Sequence, residues 1–398
     1  MIDSLAHGVP SSASAAAAAD NPAGAPTRTL QVLHVGKYYP PHMGGIETHL
    51  QVLCGELRKT LDARVIVASD DRTSTEEVID GVPVSRAATP FTLASAPLCP
   101  RMVTAIRRSH ADIVHLHLPN PSAILAYLAS GHRGRLVVSY HSDTVRQRIL
   151  GAAFEPLLHA ALRRSSAIIA SSPENQRTSN VLSRYQDRCH VIPYGIPIEQ
   201  FERPDAAAVD GIRKQFGERL ILAVGRLVYY KGFEHLIHAM TQVDGKLVIV
   251  GDGPLRAKLL ALITSLGIEN KVVLAGKIPD EIAPYYHAAD VFVLPSIARS
   301  EAFGIVQVEA MASGLPVVNT SLESGVPFVS LHEQTGLTVP PADSQALAQA
   351  INRLLADPHL RQSLGQAARL RARQEFSAPI MTSRMLALYD AVMQSGRT

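Results

Sequence analysis

The chain has only three cysteines, Cys54, Cys99 and Cys189, far apart in sequence and with no Cys-x-x-Cys pair. That scarcity excludes a disulfide framework and a thiolate metal site. It points instead to free thiols in a reducing, cytoplasmic setting. Surplus charge is also lacking: the formal net charge is +3, which gives no argument for nucleic acid as a partner. No apolar run approaches the roughly 18 residues of a membrane-spanning helix. No Gly-x-Gly-x-x-Gly occurs, so dinucleotide binding is not indicated.

What is present is apolar material in short, regular pieces. The 398 residues are 46% hydrophobic and 18% charged, enough for two or three domains with sizeable cores. Residues 1–27 are an Ala/Ser/Pro/Gly segment. Its Ala15–Ala19 run is too weakly hydrophobic, and lacks the basic flank, for a targeting signal, so disorder is expected there. Strands are expected at Leu30–Val35, Arg64–Ala68, Asp112–Leu116, Leu136–Ser139, Ala167–Ala170 and His190–Ile192. A second series falls at Leu220–Val224, Lys246–Val250, Val272–Gly276, Val291–Leu294, Pro316–Asn319 and Gly336–Val339. Helical segments separate most of them, which implies an α/β fold with parallel sheets. The two series give domains at 28–198 and 216–376. The Pro/Gly-bearing polar stretch 199–215 reads as a linker.

The most informative stretch is Glu301-Ala-Phe303-Gly304-Ile305-Val-Gln-Val-Glu309, running on to Ala310-Met-Ala-Ser-Gly314-Leu-Pro316. It follows the strand at Val291–Leu294, so Glu301 is expected in a loop at a strand's carboxyl end. Gly304 should open a helix that stops near Gly314. A helix N-terminus suits a phosphate, and a glycine there lets the backbone approach it closely. Glu309, inside the helix, is typed to accept two hydrogen bonds from a ribose diol, and Glu301 to bind sugar hydroxyls. The plainer reading is two solvated surface carboxylates.

Other loops carry compatible residues. Gly36-Lys-Tyr-Tyr-Pro-Pro-His-Met-Gly44-Gly45 follows the first strand and precedes a helix through Leu57. Gly225-Arg226-Leu-Val-Tyr-Tyr-Lys231-Gly232 follows Leu220–Val224, and its Arg and Lys suit a diphosphate. His115 and His117 share a strand face and are metal-ligand types. With no acidic or further histidine partner placed nearby, satisfied core histidines are expected. His141, in Ser139-Tyr-His-Ser-Asp143, stands just past a strand. Arg133, Arg135, Arg146, Arg148, Arg163 and Arg164 offer a basic face for anionic lipid heads or a phosphorylated acceptor. A solvated face with local ion pairs is the alternative.

The Glu-x7-Glu motif with Ala-Met-Ala-Ser-Gly-x-Pro resembles the retaining glycosyltransferases of family 4, and the resemblance spans about Leu30 to the C-terminus. It implies the GT-B fold: two Rossmann-like doubly wound domains facing a central cleft, with a last helix, 377–398, crossing back to the first domain. It further implies a nucleotide diphosphate sugar as donor. Arg226 and Lys231 would clamp the diphosphate, and Lys277 and Ile278 would border the base. Phe303, Gly304 and Ile305 would lie in the donor motif, Gly44 and Gly45 across the cleft from the diphosphate, and His141 at the transferred sugar. His141, Glu301, Arg226 and Lys231 would form the catalytic set.

No Asp-x-Asp occurs to hold a metal on the diphosphate, so a metal-independent reaction without a cofactor is expected. Retention by front-face attack is implied by the family. The acceptor is expected to be a glycan or lipid-linked, at the cytoplasmic face, with a peripheral membrane contact. A soluble small-molecule acceptor and a nucleotide-sugar epimerase remain open. GDP-mannose is preferred to a UDP-hexose from the flavour of Gln307 and Ser324-Gly-Val-Pro327.

Overall fold

The computed structural model describes residues 28–42, 44–93, 96–143, 148–278 and 282–395. Segment 1–27, Arg146 and the Arg148 side chain lie outside what is described. The first half of the chain contributes strands β1 (Gln31–Val35), β2 (Asp62–Ala68), β3 (Thr75–Ile79), β4 (Val82–Ala87), β5 (Phe91–Leu93), β6 (Ala96–Leu98), β7 (Ile113–Leu118), β8 (Arg135–Tyr140), β9 (Ala167–Ala170) and β10 (Cys189–Val191). Apart from the β5–β6 hairpin they form one sheet of order β10-β9-β8-β7-β1-β2-β4-β3. It is parallel except where β3 runs back along β4. The second half gives β11 (Leu220–Val224), β12 (Lys246–Val250), β13 (Val272–Gly276), β14 (Val291–Val293), β15 (Val317–Thr320) and β16 (Gly336–Val339). These form a parallel sheet of order β13-β12-β11-β14-β15-β16.

Helices cover both faces of each sheet, which is why the central strands are unbroken Val/Ile/Leu runs rather than alternating ones. β7 and β11 are buried almost throughout. Two apolar cores flank the second sheet, one built on Leu222, Phe292 and Met311, the other on Ile221, Val293 and Ile351.

Strand order reverses direction at β1/β7 in the first sheet and at β11/β14 in the second. Loops leaving the carboxyl ends of such a pair diverge to opposite faces and open a crevice between them. The two crevices face each other. A Cβ on Gly45 would stand 3.8 Å from Ile305 Cδ1, and the Tyr194 and Phe303 rings lie 4.8 Å apart. Arg299 Nη2 donates across the cleft to the Thr178 carbonyl at 3.0 Å and to its hydroxyl at 2.9 Å. The architecture is thus the expected one, two Rossmann-like doubly wound domains around a central cleft.

The last helix, Ala378–Gln394, packs Met381, Met385, Leu388 and Tyr389 against Val32, Leu53 and Leu57 of the first domain. Segment 199–215, read from sequence as a linker, is largely helical, with helices at Glu199–Glu202 and Ala206–Phe216. Asp205 caps the second by accepting from the N–H groups of Ala207 and Ala208, and Ile212 and Phe216 join the core beside Tyr286. A run of alanines with an aspartate cap is a good helix start, and the polar composition had masked it.

Candidate active site

The loop after β11 and the loop after β14 meet at the crevice of the second domain. Gly232 makes that meeting possible. Its φ is 66°, and a Cβ there would lie 2.1 Å from the Pro295 carbonyl oxygen, so only glycine fits. Ile297 N–H donates to the Tyr230 carbonyl at 2.8 Å, tying the loops together. The result is that Lys231 and Glu301, 70 positions apart in sequence, form an ion pair with Nζ 2.6 Å from Oε2. Both residues are 8% exposed. Ser296 donates a hydrogen bond to the same carboxylate oxygen at 2.9 Å. A largely buried pair of this kind is costly to break from one side, because little water is at hand to solvate the charge left behind.

Arg226 differs from Lys231. It is exposed, has no carboxylate partner among the described residues, and lines a cavity of about 420 Å³ with Tyr229, Tyr230, Pro254, Leu255 and Ser300. One cation of the expected clamp is therefore held fixed and the other faces open space.

Gly304 caps the helix Ile305–Ala312 with φ 72°. A Cβ there would sit 2.6 Å from Leu294 Cδ2 and 3.0 Å from Gln307 Nε2, so a larger residue would crowd both side chains as well as strain the backbone. The N–H groups of that first turn lack intrahelical acceptors and are available to an anion. One turn further, Glu309 is half-buried, and its Oε2 accepts from the Tyr286 hydroxyl at 2.7 Å. Burial raises its pKa above the ordinary glutamate value, while the Tyr286 hydrogen bond and the Lys231 charge pull it back. One carboxylate oxygen is thus committed to the protein, leaving Oε1 for a ligand. Lys277 is exposed, and Ile278 is half-buried against the core.

Two expectations about side chains need correcting. Phe303 is 2% exposed and packs against Tyr194 and Phe376, so a donor could meet only its backbone. Gln307 is fully buried, donating to the carbonyls of Phe303 and Val326 and accepting from Asn319. Ser324 is buried too, with its hydroxyl near the Val326 N–H. These residues staple the helix to the turn at Val326. They do not reach a donor, so they say nothing about which base or sugar it carries.

The opposite wall belongs to the first domain. Gly44 caps the helix Gly45–Leu57, and this loop reaches Ile305. His141, just past β8, is 3% exposed. Its Nδ1 lies 2.6 Å from the Tyr194 hydroxyl and its Nε2 3.2 Å from Nδ1 of His117. Both ring nitrogens are thereby engaged within the protein.

His115 and His117 were expected to stand without further histidines. Instead, His34 on β1, His49 on the helix Gly45–Leu57, and His141 gather around them, all buried. His115 is satisfied by Tyr389 and Ser139 at 2.7 and 2.8 Å. Burial holds all five imidazoles below their ordinary pKa, down to about 3 for His34 and His49. They are neutral at pH 7. The groups His34–His115–His117 and His49–His117–His141 have the spacing to hold a metal ion. Ser296, Tyr286, Tyr194 and Arg299 were also missed. They carry no motif, and only the fold brings them to the cleft.

Residues 209–371 match the family described as glycosyl transferases group 1, and residues 43–200 match glycosyltransferase family 4. The chain is 34% identical over 354 residues to the D-rhamnosyltransferase WbpZ of Pseudomonas aeruginosa, covering 88% of this chain and 93% of that protein. It is 31% identical to a GDP-mannose-dependent alpha-(1-6)-phosphatidylinositol monomannoside mannosyltransferase of Mycolicibacterium smegmatis, covering 85% and 92%. Among solved structures, Anabaena HepE in complex with UDP superposes with a TM-score of 0.77 at 23% identity, covering 91% of this chain and 100% of that one.

Proposed function

The chain belongs to the family 4, group 1 glycosyltransferases, and from that premise we propose that it transfers a manno-configured hexose from a nucleoside diphosphate to a hydroxyl of a glycan or lipid-linked acceptor, with retention and without a metal. The observation that carries this reading is the buried Lys231–Glu301 pair at the crevice of the second domain. It sets a fixed cation beside a carboxylate suited to sugar hydroxyls, next to the helix N-terminus at Gly304. The manno configuration is supported by two relatives whose names give D-rhamnose, which is 6-deoxymannose, and mannose. The second of these also names GDP and a glycolipid.

Departure of the diphosphate is the hard step, because negative charge builds on it as positive charge builds on the sugar ring. Lys231 and the helix N-terminus offer a field of the right sign held in place by the protein, and Arg226 adds a cation on the open side of the crevice. Glu301 would hold sugar hydroxyls, and Glu309 Oε1 a ribose hydroxyl. The Gly44–Gly45 loop would close over the phosphates from the far wall, with Lys277 and Ile278 bordering the base. The test is turnover of GDP-mannose against UDP-glucose with a mannosylated lipid acceptor. GDP-mannose should be consumed faster, and no consumption of either would overturn the proposal. Activity should persist in excess EDTA, since the sequence has no Asp-x-Asp. Complete loss in EDTA with recovery on Mn²⁺ addition would refute the metal-free reading.

Glu309→Ala should weaken binding of the free nucleoside diphosphate by about 1.5–3 kcal/mol, the scale of a charged hydrogen bond. Unchanged affinity in calorimetry would remove Glu309 from the ribose. A membrane contact through Arg133, Arg163 and Arg164 is proposed as well. All three are exposed and make no ion pair among the described residues. No described helix is long and apolar enough to cross a membrane, so this contact would be peripheral. Co-sedimentation with anionic, but not neutral, vesicles is the expected result.

A further inference from the structure

Behind His141 runs a buried chain of ring nitrogens. Tyr194 Oη is 2.6 Å from His141 Nδ1, His141 Nε2 is 3.2 Å from His117 Nδ1, and His117 Nε2 is 3.1 Å from His34 Nδ1. The chain ends at His34 Nε2, which is buried and has no partner. Each neutral imidazole has one N–H and one bare nitrogen, so the protons must all point the same way along the chain.

Two settings exist. If Tyr194 donates inward, each proton moves one place towards His34, and an N–H is left buried and unpaired at His34 Nε2. If His34 Nδ1–H donates outward, His117 donates to His141, His141 Nδ1–H donates to Tyr194, and only a bare lone pair is left. Orphaned buried N–H groups are rarer than orphaned acceptors, so the second setting is favoured. Ser171, adjacent to the Tyr194 hydroxyl, is the next polar group on that side.

We infer that His117 is a positioning residue: through this chain, with His34 behind it, it fixes His141 as the Nδ1–H tautomer and holds its ring in one orientation at the cleft wall. The inference rests on the placement of His141 at the donor sugar. The chain anchors the turn after β8, whose backbone is also tied by His141 N–H donating to the Leu118 carbonyl at 2.9 Å. A ring held at both nitrogens cannot swing, so what the wall presents to the sugar is set from His34, two residues along the chain.

The test has two arms. In ¹⁵N-histidine spectra of the ligand-free protein, His141 should show a protonated Nδ1 and a bare Nε2. This arm needs no donor, so it stands apart from the transferase reading. An Nε2–H tautomer overturns the inference. So does stoichiometric zinc retained by the wild-type protein and lost in His117→Asn, because the nitrogens would then be ligands and not hydrogen-bond partners.

The second arm compares His117→Asn with His117→Gln. The asparagine amide nitrogen can replace Nδ1 and still donate to His141, whereas glutamine places its amide near the former Nε2. His117→Gln should lower kcat roughly 10- to 100-fold, the cost of misplacing a group by about an ångström. His117→Asn should stay within a few-fold of wild type, and both should keep wild-type affinity for the nucleoside diphosphate. Equal losses in the two variants, or affinity falling in step with kcat, would overturn it.

Discussion

Lys231→Met should destabilise the second domain by about 3–5 kcal/mol and abolish measurable nucleoside diphosphate binding. The first effect follows from burial. The substitution removes the only cation paired with Glu301 among the described residues, in a place where both side chains are about nine-tenths buried. Breaking a buried pair from one side leaves the other charge uncompensated, and this is the costly way to break it. Ser296 supplies one hydrogen bond to Glu301 but no charge. The second effect follows from the site, because a bare carboxylate would then face the diphosphate in place of the cation. Adding Glu301→Gln should restore more than half of the lost stability, since a neutral amide keeps the Ser296 contact without a buried charge. Nucleotide binding should not return with it. Thermal and chemical denaturation of the two singles and the double give the coupling energy directly. Additive losses would show that the pair is not what holds these two loops together.

The sequence made some of this site legible and hid the rest for physical reasons. Strand and loop positions followed from apolar runs punctuated by Gly and Pro. That was enough to put Arg226, Lys231, Glu301 and Gly304 at strand carboxyl ends, and hence at one crevice. Within the helix after Gly304 the same approach could have gone further. Ile305 and Glu309 are four apart and share a face, while Gln307 and Met311 share the opposite one. Gln307 is buried against Val326 for that reason, and a ligand role for it could have been refused on spacing alone. The β3–β4 hairpin was also readable. Asp80 and Gly81 both have positive φ, 51° and 77°, in the two-residue turn that an Asp-Gly pair favours.

The histidine cluster is different. His115 and His117 share a strand face by period two, but His34 and His49 reach them only because β1 pairs with β7 and the helix Gly45–Leu57 folds back over both. Nothing local encodes that meeting, so pairing at long sequence separation had to be seen. The same holds for Tyr194 and Tyr389, whose hydroxyls close the cluster from residues far along the chain.

That cluster should make the first domain labile to mild acid. Unfolded, each histidine takes up a proton near pH 6.5. Folded, burial drives His34 and His49 to about 3 and pushes His115, His117 and His141 well below the ordinary value. Above pH 6.5 both states are neutral and nothing is lost. As pH falls below 6.5 the unfolded chain binds protons that the folded one refuses, so stability drops steadily towards the folded pKa. His34 and His49 alone remove roughly 4 kcal/mol between pH 7.5 and 5.0, and the other three act in the same direction. Glu309 has the opposite sign, its pKa being raised by burial, but it lies in the second domain and does not offset the loss in the first. For a domain of this size, 4 kcal/mol corresponds to roughly 8–16 °C in Tm. Calorimetric scans at pH 7.5 and 5.0 should therefore show the first domain's transition falling by at least that much, while the second domain, which lacks such a cluster among its described residues, moves far less. A first-domain transition that shifts by under about 3 °C would mean that the five imidazoles open to water at little cost. The closed proton chain behind His141 would then not survive in solution.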